Sequence, residues 1–305
     1  EIGKVMKETV VMRWPNVYFF EDVLLVSTFP AEYSESARSI MRECIFNAGL
    51  IKDKNSTALQ FITEPEAAAI YCMEQLQIYD LEAGTNFMVV DCGGDRVVLT
   101  TRKLVNRNQL GEIAEISEDF CGSTYIDKEF IKYLSSKVGY GAMELLRTNH
   151  CGQMQYLIQR FTREYKMLFT GESKEFKPYY FDLNYTIPMI KQYVTDKNRE
   201  ILEEIEWDIE LGFYDIKSMF DPVVEKILRL IHAQLDSSLE TCSAMFLVGG
   251  FSESKYLQNR IKREFQHIVR IILIPSDPTI AIERGAVMYG LSSMNSDITT
   301  RGLKY

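Results

Sequence analysis

The chain has 305 residues, 46% hydrophobic and 25% charged, which is a globular composition with enough length for a sizeable core and for two domains or lobes. Its formal net charge of −9 argues against a general nucleic-acid or anionic-membrane binder, because both need a basic face. Nucleotide binding stays open, since a few backbone N–H groups and a metal neutralise phosphates without one.

Taken in chain order, the apolar run Val23–Ser27, bounded by Glu21-Asp22 and Pro30, predicts a buried strand. Ala37, Ile40, Met41, Cys44 and Ile45 recur at helical spacing, so a helix is expected from about Ser34 to Asn47, stopped by Gly49. Leu59–Ile62 is the next strand. Thr63-Glu64-Pro65-Glu66 then opens a helix to about Leu76, with Pro65 suited to its first turn. Phe87–Val90 and Val97–Thr100 are strands around a glycine turn, and Glu112–Ile116 is a third. Helices are expected over Ile126–Ser136 and Gly152–Phe169. Between 171 and 216 the pattern is harder to read: Tyr179–Leu183 and Trp207–Leu211 suit strands around the charged helix Asp196–Glu206, whose acidic run suits a solvated face. A helix from Pro222 to Leu239, a strand Ala244–Val248, a helix Glu253–Phe265 and a strand Val269–Ile274 follow. The last helix, Thr279–Leu291, has Asp277 or Ser276 to cap it and Pro278 in its first turn. Alternating strands and helices with hairpins inserted predict an α/β fold. No repeat or low-complexity tract interrupts it.

The six cysteines form no C-x-x-C pair, and a chain of this length does not need disulfide staples, so they read as reduced thiols of a cytoplasmic protein. The three histidines lie far apart without metal-ligand spacing. No stretch has the apolar length of a membrane span, and no signal peptide is visible. A start at Glu1 and an abrupt stop at Leu303-Lys304-Tyr305 read as a fragment.

Three strand ends carry residues suited to chemistry. Phe87–Val90 runs into Asp91-Cys92-Gly93-Gly94, where an acid can hold Mg²⁺ or its water and glycines let backbone N–H groups approach phosphate oxygens. The plain alternative is a hairpin turn, for which Gly-Gly-Asp is ordinary chemistry. Phe246–Val248 runs into Gly249-Gly250 before a helix, placing N–H groups and a helix dipole where an anion can sit; close helix–strand packing is the alternative. Glu64 stands at a helix start, where a favourable dipole charge alone would explain it. No P-loop, dinucleotide fingerprint, serine elbow or zinc-protease motif is present.

The order of these pieces resembles the nucleotide-binding domain of DnaK-type 70-kDa heat-shock chaperones. "VLLVSTFPAEY" (23–33) resembles the family's strand–proline–helix segment, and "FITEPEAAAIY" (61–71) its connecting segment. "FMVVDCGG" (87–94) is similar to its second phosphate loop and "CGSTYIDKEF" (121–130) to its downstream glycine segment. "FLVGGFSES" (246–254) is similar to the adenosine loop and "DPTIAIERGAVMYG" (277–290) to the closing segment. "EPEAAAIY", "CGSTYID" and "GGFSES" look most like the divergent twelve-type branch.

The resemblance implies an actin-like ATPase (ribonuclease H-like) fold of two lobes with ATP or ADP and Mg²⁺ between them. Residues 1–81 would be part of lobe one, its opening hairpin and catalytic lysine lying before Glu1. Residues 82–277 would be lobe two with a smaller inserted subdomain at about 137–216, 278–291 a helix returning to lobe one, and 292–305 the start of an extension. By resemblance Asp91 would contact the metal–water shell and Glu64 would orient it from the opposite lobe. Gly93, Gly94, Gly122 and Ser123 would line the phosphate side. Gly249 and Gly250 would face adenosine and the inner phosphates, Lys166 the ribose, and Asp277 the adenosine side. Client polypeptides or co-chaperones are the implied partners besides nucleotide.

The chain departs from the family in that second loop. The pattern Asp-x-Gly-Gly-Gly-Thr-x-Asp here reads Asp91-Cys92-Gly93-Gly94-Asp95-Arg96-Val97-Val98. Asp95 puts a carboxylate where phosphate should approach; at ~4 Å and an effective dielectric of ~20, like unit charges repel by about 4 kcal/mol. That is large against about −8 kcal/mol for a micromolar nucleotide. Arg96 can offset it by pairing with Asp95 or by reaching a phosphate. Val98 removes an oxygen near the metal shell, and Arg163 stands where the family carries an acid. The expected protein is an ATP-binding, chaperone-like protein with impaired hydrolysis. Its alternatives are a pseudo-ATPase scaffold and a metabolic kinase of the same superfamily, the latter opposed by the absence of sugar-binding motifs.

Overall fold

The computed structural model describes residues 1–78, 81–106, 109–174, 176–237, 240–295 and 299–301. Helices α1 (Ile2–Arg13) and α2 (Phe19–Asp22) lead into β1 (Leu25–Phe29), α3 (Glu35–Asn47), β2 (Leu59–Thr63) and α4 (Glu64–Ile78). The hairpin strands β3 (Asn86–Cys92), β4 (Val97–Asn106) and β5 (Gln109–Asp119) come next. Then follow α5 (Thr124–Val138), α6 (Tyr140–Asn149), α7 (Cys151–Phe161), β6 (Tyr179–Asp182), α8 (Leu183–Thr186), α9 (Asp196–Glu204) and β7 (Asp208–Leu211). The chain closes through α10 (Phe213–Ser237), β8 (Ala244–Val248), α11 (Lys255–Phe265), β9 (Ile271–Leu273), α12 (Ala281–Asn295) and β10 (Thr299–Arg301).

The main sheet has the order β10-β5-β4-β3-β8-β9, with β3–β4–β5 antiparallel and β8 and β9 added in parallel. Strand alternation divides its side chains between two layers of helices. Met88, Val90, Cys92, Met245 and Leu247 face a core shared with α5, α10 and α11. Phe87, Val89, Phe246 and Val248 face the other way, against Ala67–Met73 of α4 and Ala281 and Ala286 of α12. The result is a mixed α/β structure with helices on both sheet faces.

Beside it, β1 and β2 pair in parallel with α3 as the crossover. Ser34 caps α3 by accepting from the Ala37 N–H. The apolar stripe of α3 is only half covered, and Ile40 is exposed, because two strands offer too little sheet to bury it. Helix α12 runs back to this unit. A Cβ at Gly285 would stand 1.8 Å from the Ala67 carbonyl oxygen, and one at Gly290 would stand 2.8 Å from Val26 Cγ2. Small residues therefore let α12 lie directly on α4 and β1.

Several expected elements differ. The helix expected from Pro222 begins nine residues earlier, at Phe213, with Pro222 inside it. Ile216, Met219 and Phe220 continue the buried stripe N-terminally, and that burial outweighs the hydrogen bond Pro222 cannot make. The helix expected over Gly152–Phe169 stops at Phe161 and widens into a π turn, Thr162–Lys166, which buries the adjacent Tyr165 and Lys166 together. Helix α6 was not expected. Residue 239, assigned to the α10 helix by sequence, lies outside the described residues. The strands β6 and β7 form a separate antiparallel pair, but Phe181, Leu183, Ile209 and Leu211 join the same core as the main sheet.

Candidate functional site

Asp91 lies near the end of β3 on the sheet face that looks at α4 and α12, in register with Val98 on β4 and Val248 on β8. Glu64 opens α4. Its neighbour Glu66 provides the cap: Thr63 N–H and Oγ1 donate to Glu66 Oε2 at 3.2 and 2.7 Å, while the Glu66 N–H donates to Thr63 Oγ1 at 3.3 Å. Glu64 is thereby left to line the cleft with Asp91. Glu283, in the first turn of α12, lines a neighbouring pocket and is near enough for its charge to bear on both carboxylates. Burial, then the charges of Glu64 and Glu283, push the Asp91 carboxyl up to about 6. Glu64 is also raised, by burial first, with Arg96 opposing and Glu32 and Glu283 adding to it.

Arg96 is the cation of this cleft, and it does not pair with Asp95. Its guanidinium binds Glu32, on the loop between β1 and α3, and Glu118 near the end of β5, the latter at 3.3 Å. Burial works to raise the Glu32 carboxyl, but the hydrogen bond and charge of Arg96 hold it below its ordinary value. Asp95 sits exposed at the turn tip beside Gly94. The space enclosed by Glu32, Glu64, Asp91, Arg96, Val98 and Glu118 is about 20 Å³, room for one water molecule.

The glycines serve first to bring backbone together. The Gly93 N–H donates to the Arg96 carbonyl at 3.0 Å and closes the turn. The N–H groups of Gly122, Ser123 and Thr124, at the start of α5, donate to the carbonyls of Asp95, Gly93 and Gly94 at 3.0, 3.2 and 2.8 Å. A Cβ at Gly122 would stand 2.4 Å from the Gly94 carbonyl oxygen. Gly122 and Ser123 thus brace the turn from behind, and their N–H groups are engaged by it. Gly249, at φ 81°, donates its N–H to the Pro278 carbonyl at 2.8 Å. A Cβ there would stand 2.4 Å from Asp91 Oδ1. Gly250 has open space where a side chain would be. No α-helix begins at these glycines, because a 3₁₀ turn, Gly250–Glu253, intervenes and Ser254 caps α11. The anion site expected of a helix start at Gly250 is therefore not formed in that way.

Lys166 is placed inside the core. Its ammonium donates to Asp127 Oδ1 and Oδ2 at 2.7 and 2.9 Å and to the Ser123 carbonyl at 3.3 Å, with 3% of the side chain exposed. The resemblance puts Lys166 near the ribose; here its ammonium, in the π turn, is taken up by Asp127. Asp277 pairs with Arg284 at 2.9 Å and makes no side-chain cap. Arg163 is exposed and pairs with Glu164. Glu32, Glu118 and Glu283 were not singled out by sequence; for Glu32 and Glu283 the signal was their position inside the strand–proline–helix and closing segments. Among the described residues no three His, Cys, Asp or Glu side chains converge on a metal position.

A cleft of carboxylates over a strand end, between helices crossing on small residues, is consistent with the actin-like class. No protein-family model matches the chain. It is similar to heat shock 70 kDa protein 12A of Mus musculus, 25% identical over 88% of this chain and 49% of the relative. Heat shock 70 kDa protein 12B of Homo sapiens is 23% identical over 90% of the chain and 49% of the relative. The movement protein Hsp70h of Lettuce infectious yellows virus is 21% identical over 97% of the chain and 44% of the relative. The chain is a divergent relative of the twelve-type 70-kDa heat-shock proteins, and it spans about half the length of the curated relatives it matches.

Proposed function

We propose that this chain is most of a nucleotide-binding domain, with ATP or ADP held in the cleft between a first lobe containing β1–β2 and a second built on the main sheet. The observation that carries this reading is that Asp91, near the end of β3, and Glu64, at the start of α4, line one space from two different elements. Burial and neighbouring like charge hold the Asp91 carboxyl up, and a dication relieves such crowding. On this reading Asp91 would stand nearest a Mg²⁺–water shell and Glu64 would orient it, with no set of three direct protein ligands among the described residues. Gly250, with no atom within 4 Å of where a Cβ would be, leaves room for a phosphate oxygen. When bound, Mg²⁺ would supply neutralisation of phosphate charge.

Turnover is a separate matter. Val98 offers no oxygen opposite Asp91, Asp95 keeps a carboxylate at the turn tip, and Arg96 is engaged by Glu32 and Glu118. These favour impaired hydrolysis. The second reading, a pseudo-ATPase scaffold for client polypeptides or co-chaperones, is favoured by the engagement of Arg96 and by the closed, water-sized space beside it. No helix among the described residues is long and apolar enough to cross a membrane, and a cytoplasmic site of action is part of the proposal.

The test is calorimetric titration of the complete protein with Mg-ATP and Mg-ADP, using Asp91→Ala as the control. Micromolar binding that disappears in the control supports nucleotide in this cleft. Absence of binding at millimolar nucleotide supports the scaffold.

A further inference from the structure

The cleft contains one feature that nucleotide chemistry does not require. Arg96 stands on the β3–β4 turn, on the main sheet, while Glu32 belongs to the loop after β1, on the opposite side. The ion pair between them crosses the cleft. Glu118, on β5 of the same sheet as Arg96, holds the guanidinium from its own side at 3.3 Å. Arg96 keeps 26% of its side chain exposed, so the pair sits at the mouth and not in the core. Behind it the enclosed space is about 20 Å³, far too small for a triphosphate.

We propose that Arg96 and Glu32 form a latch that shuts this cleft in the absence of ligand, and that a polyphosphate opens and enters it by taking the guanidinium from Glu32. The proposal rests on the nucleotide reading for its ligand but not for the latch itself. Its physical basis is the competition of two anions for one fork. A carboxylate offers the guanidinium two oxygens and one charge, while a triphosphate offers several oxygens and more charge. A half-exposed ion pair contributes little on its own, which makes it reversible under such competition. It is also weakened by salt. Glu118 keeps Arg96 aimed at the mouth during the exchange, so the arginine passes between partners on opposite walls without leaving the cleft.

The test has two arms on the complete protein. The first needs no ligand: hydrogen exchange of residues 30–34 and 93–97 in wild type, Glu32→Gln and Arg96→Gln. Both variants should exchange several-fold faster in both segments, and wild type should approach them as salt is raised. A Glu118→Gln variant removes a contact on one wall only and should leave residues 30–34 protected. Equal protection in wild type and Glu32→Gln overturns the latch, whatever nucleotide does. The second arm titrates Mg-ATP and magnesium tripolyphosphate. Glu32→Gln should bind both about fivefold more tightly than wild type, and Arg96→Gln should bind both more weakly. Tighter binding by Arg96→Gln would overturn the role of Arg96 as a phosphate ligand. If no variant binds either polyphosphate, the ligand half of the proposal fails together with the nucleotide reading, and the exchange arm alone decides the latch.

Discussion

The chemistry of single residues here is set by what surrounds them. Asp91 is the clearest case. Its carboxyl titrates near 6 in the folded protein against an ordinary 3.8, because burial and the charges of Glu64 and Glu283 oppose its ionisation. A raised carboxyl pKa means that the folded state holds the proton more tightly than the unfolded one. The stabilisation is therefore complete below about 3.8 and is lost as pH rises through about 6. Urea unfolding with a chelator present should show wild type losing stability across that window. Asp91→Asn should lose that component of the pH dependence and be more stable than wild type near neutral pH by about 2–3 kcal/mol. Lys166 gives the opposite lesson. Paired with Asp127 in the core, it should cost about 3–5 kcal/mol when changed to Met, because Asp127 is left buried and uncompensated. The double variant Lys166→Met/Asp127→Leu should recover most of that loss in the same denaturation experiment. If Lys166 served a ribose instead, the single variant would keep its stability and lose only nucleotide affinity.

At the scale of elements, the contact of α12 with α4 holds the cleft walls. Gly285 packs against the Ala67 carbonyl so closely that any side chain must separate the helices. Gly285→Val should destabilise the protein by about 3 kcal/mol, measured by thermal or chemical unfolding, and should disturb Glu64 and Glu283, which sit on the two helices. The regular elements were legible wherever local pattern and burial agree. The strand Ala244–Val248 and the capped start of α3 fall where the sequence places them. The misreadings share one cause, tertiary burial overriding local signals. Pro222 looked like a helix start, yet sits inside α10 because residues before it are needed in the core. The helix expected from about Glu253 begins at Lys255, because a 3₁₀ turn, Gly250–Glu253, takes up the interval after Gly249.

For the whole molecule, the question is whether two walls joined by an ion pair and a helix crossing can work as a nucleotide-driven machine. Under the proposed function, the β3–β4 turn decides this on the sheet side. Replacing Asp95, Arg96 and Val98 together with Gly, Thr and Asp removes a repelling carboxylate, releases the cross-cleft pair and restores an oxygen opposite Asp91. In the complete protein this triple variant should raise the rate of phosphate release from ATP above that of wild type. An unchanged rate would mean that the loop is not what limits turnover.

The sequence by itself determined the α/β alternation, the strand ends that carry Asp91 and the glycines, and the resemblance to twelve-type 70-kDa heat-shock proteins, because each of these is written in residues adjacent along the chain. It also placed Asp95, Arg96 and Val98 beside Asp91, since they are neighbours along the chain. Only the tertiary structure decided which carboxylates stand together, that Glu32 and not Asp95 holds Arg96, and that Lys166 is sealed against Asp127. Those pairings join residues dozens of positions apart. Charge and burial act through space, so no local pattern in the chain could have fixed them.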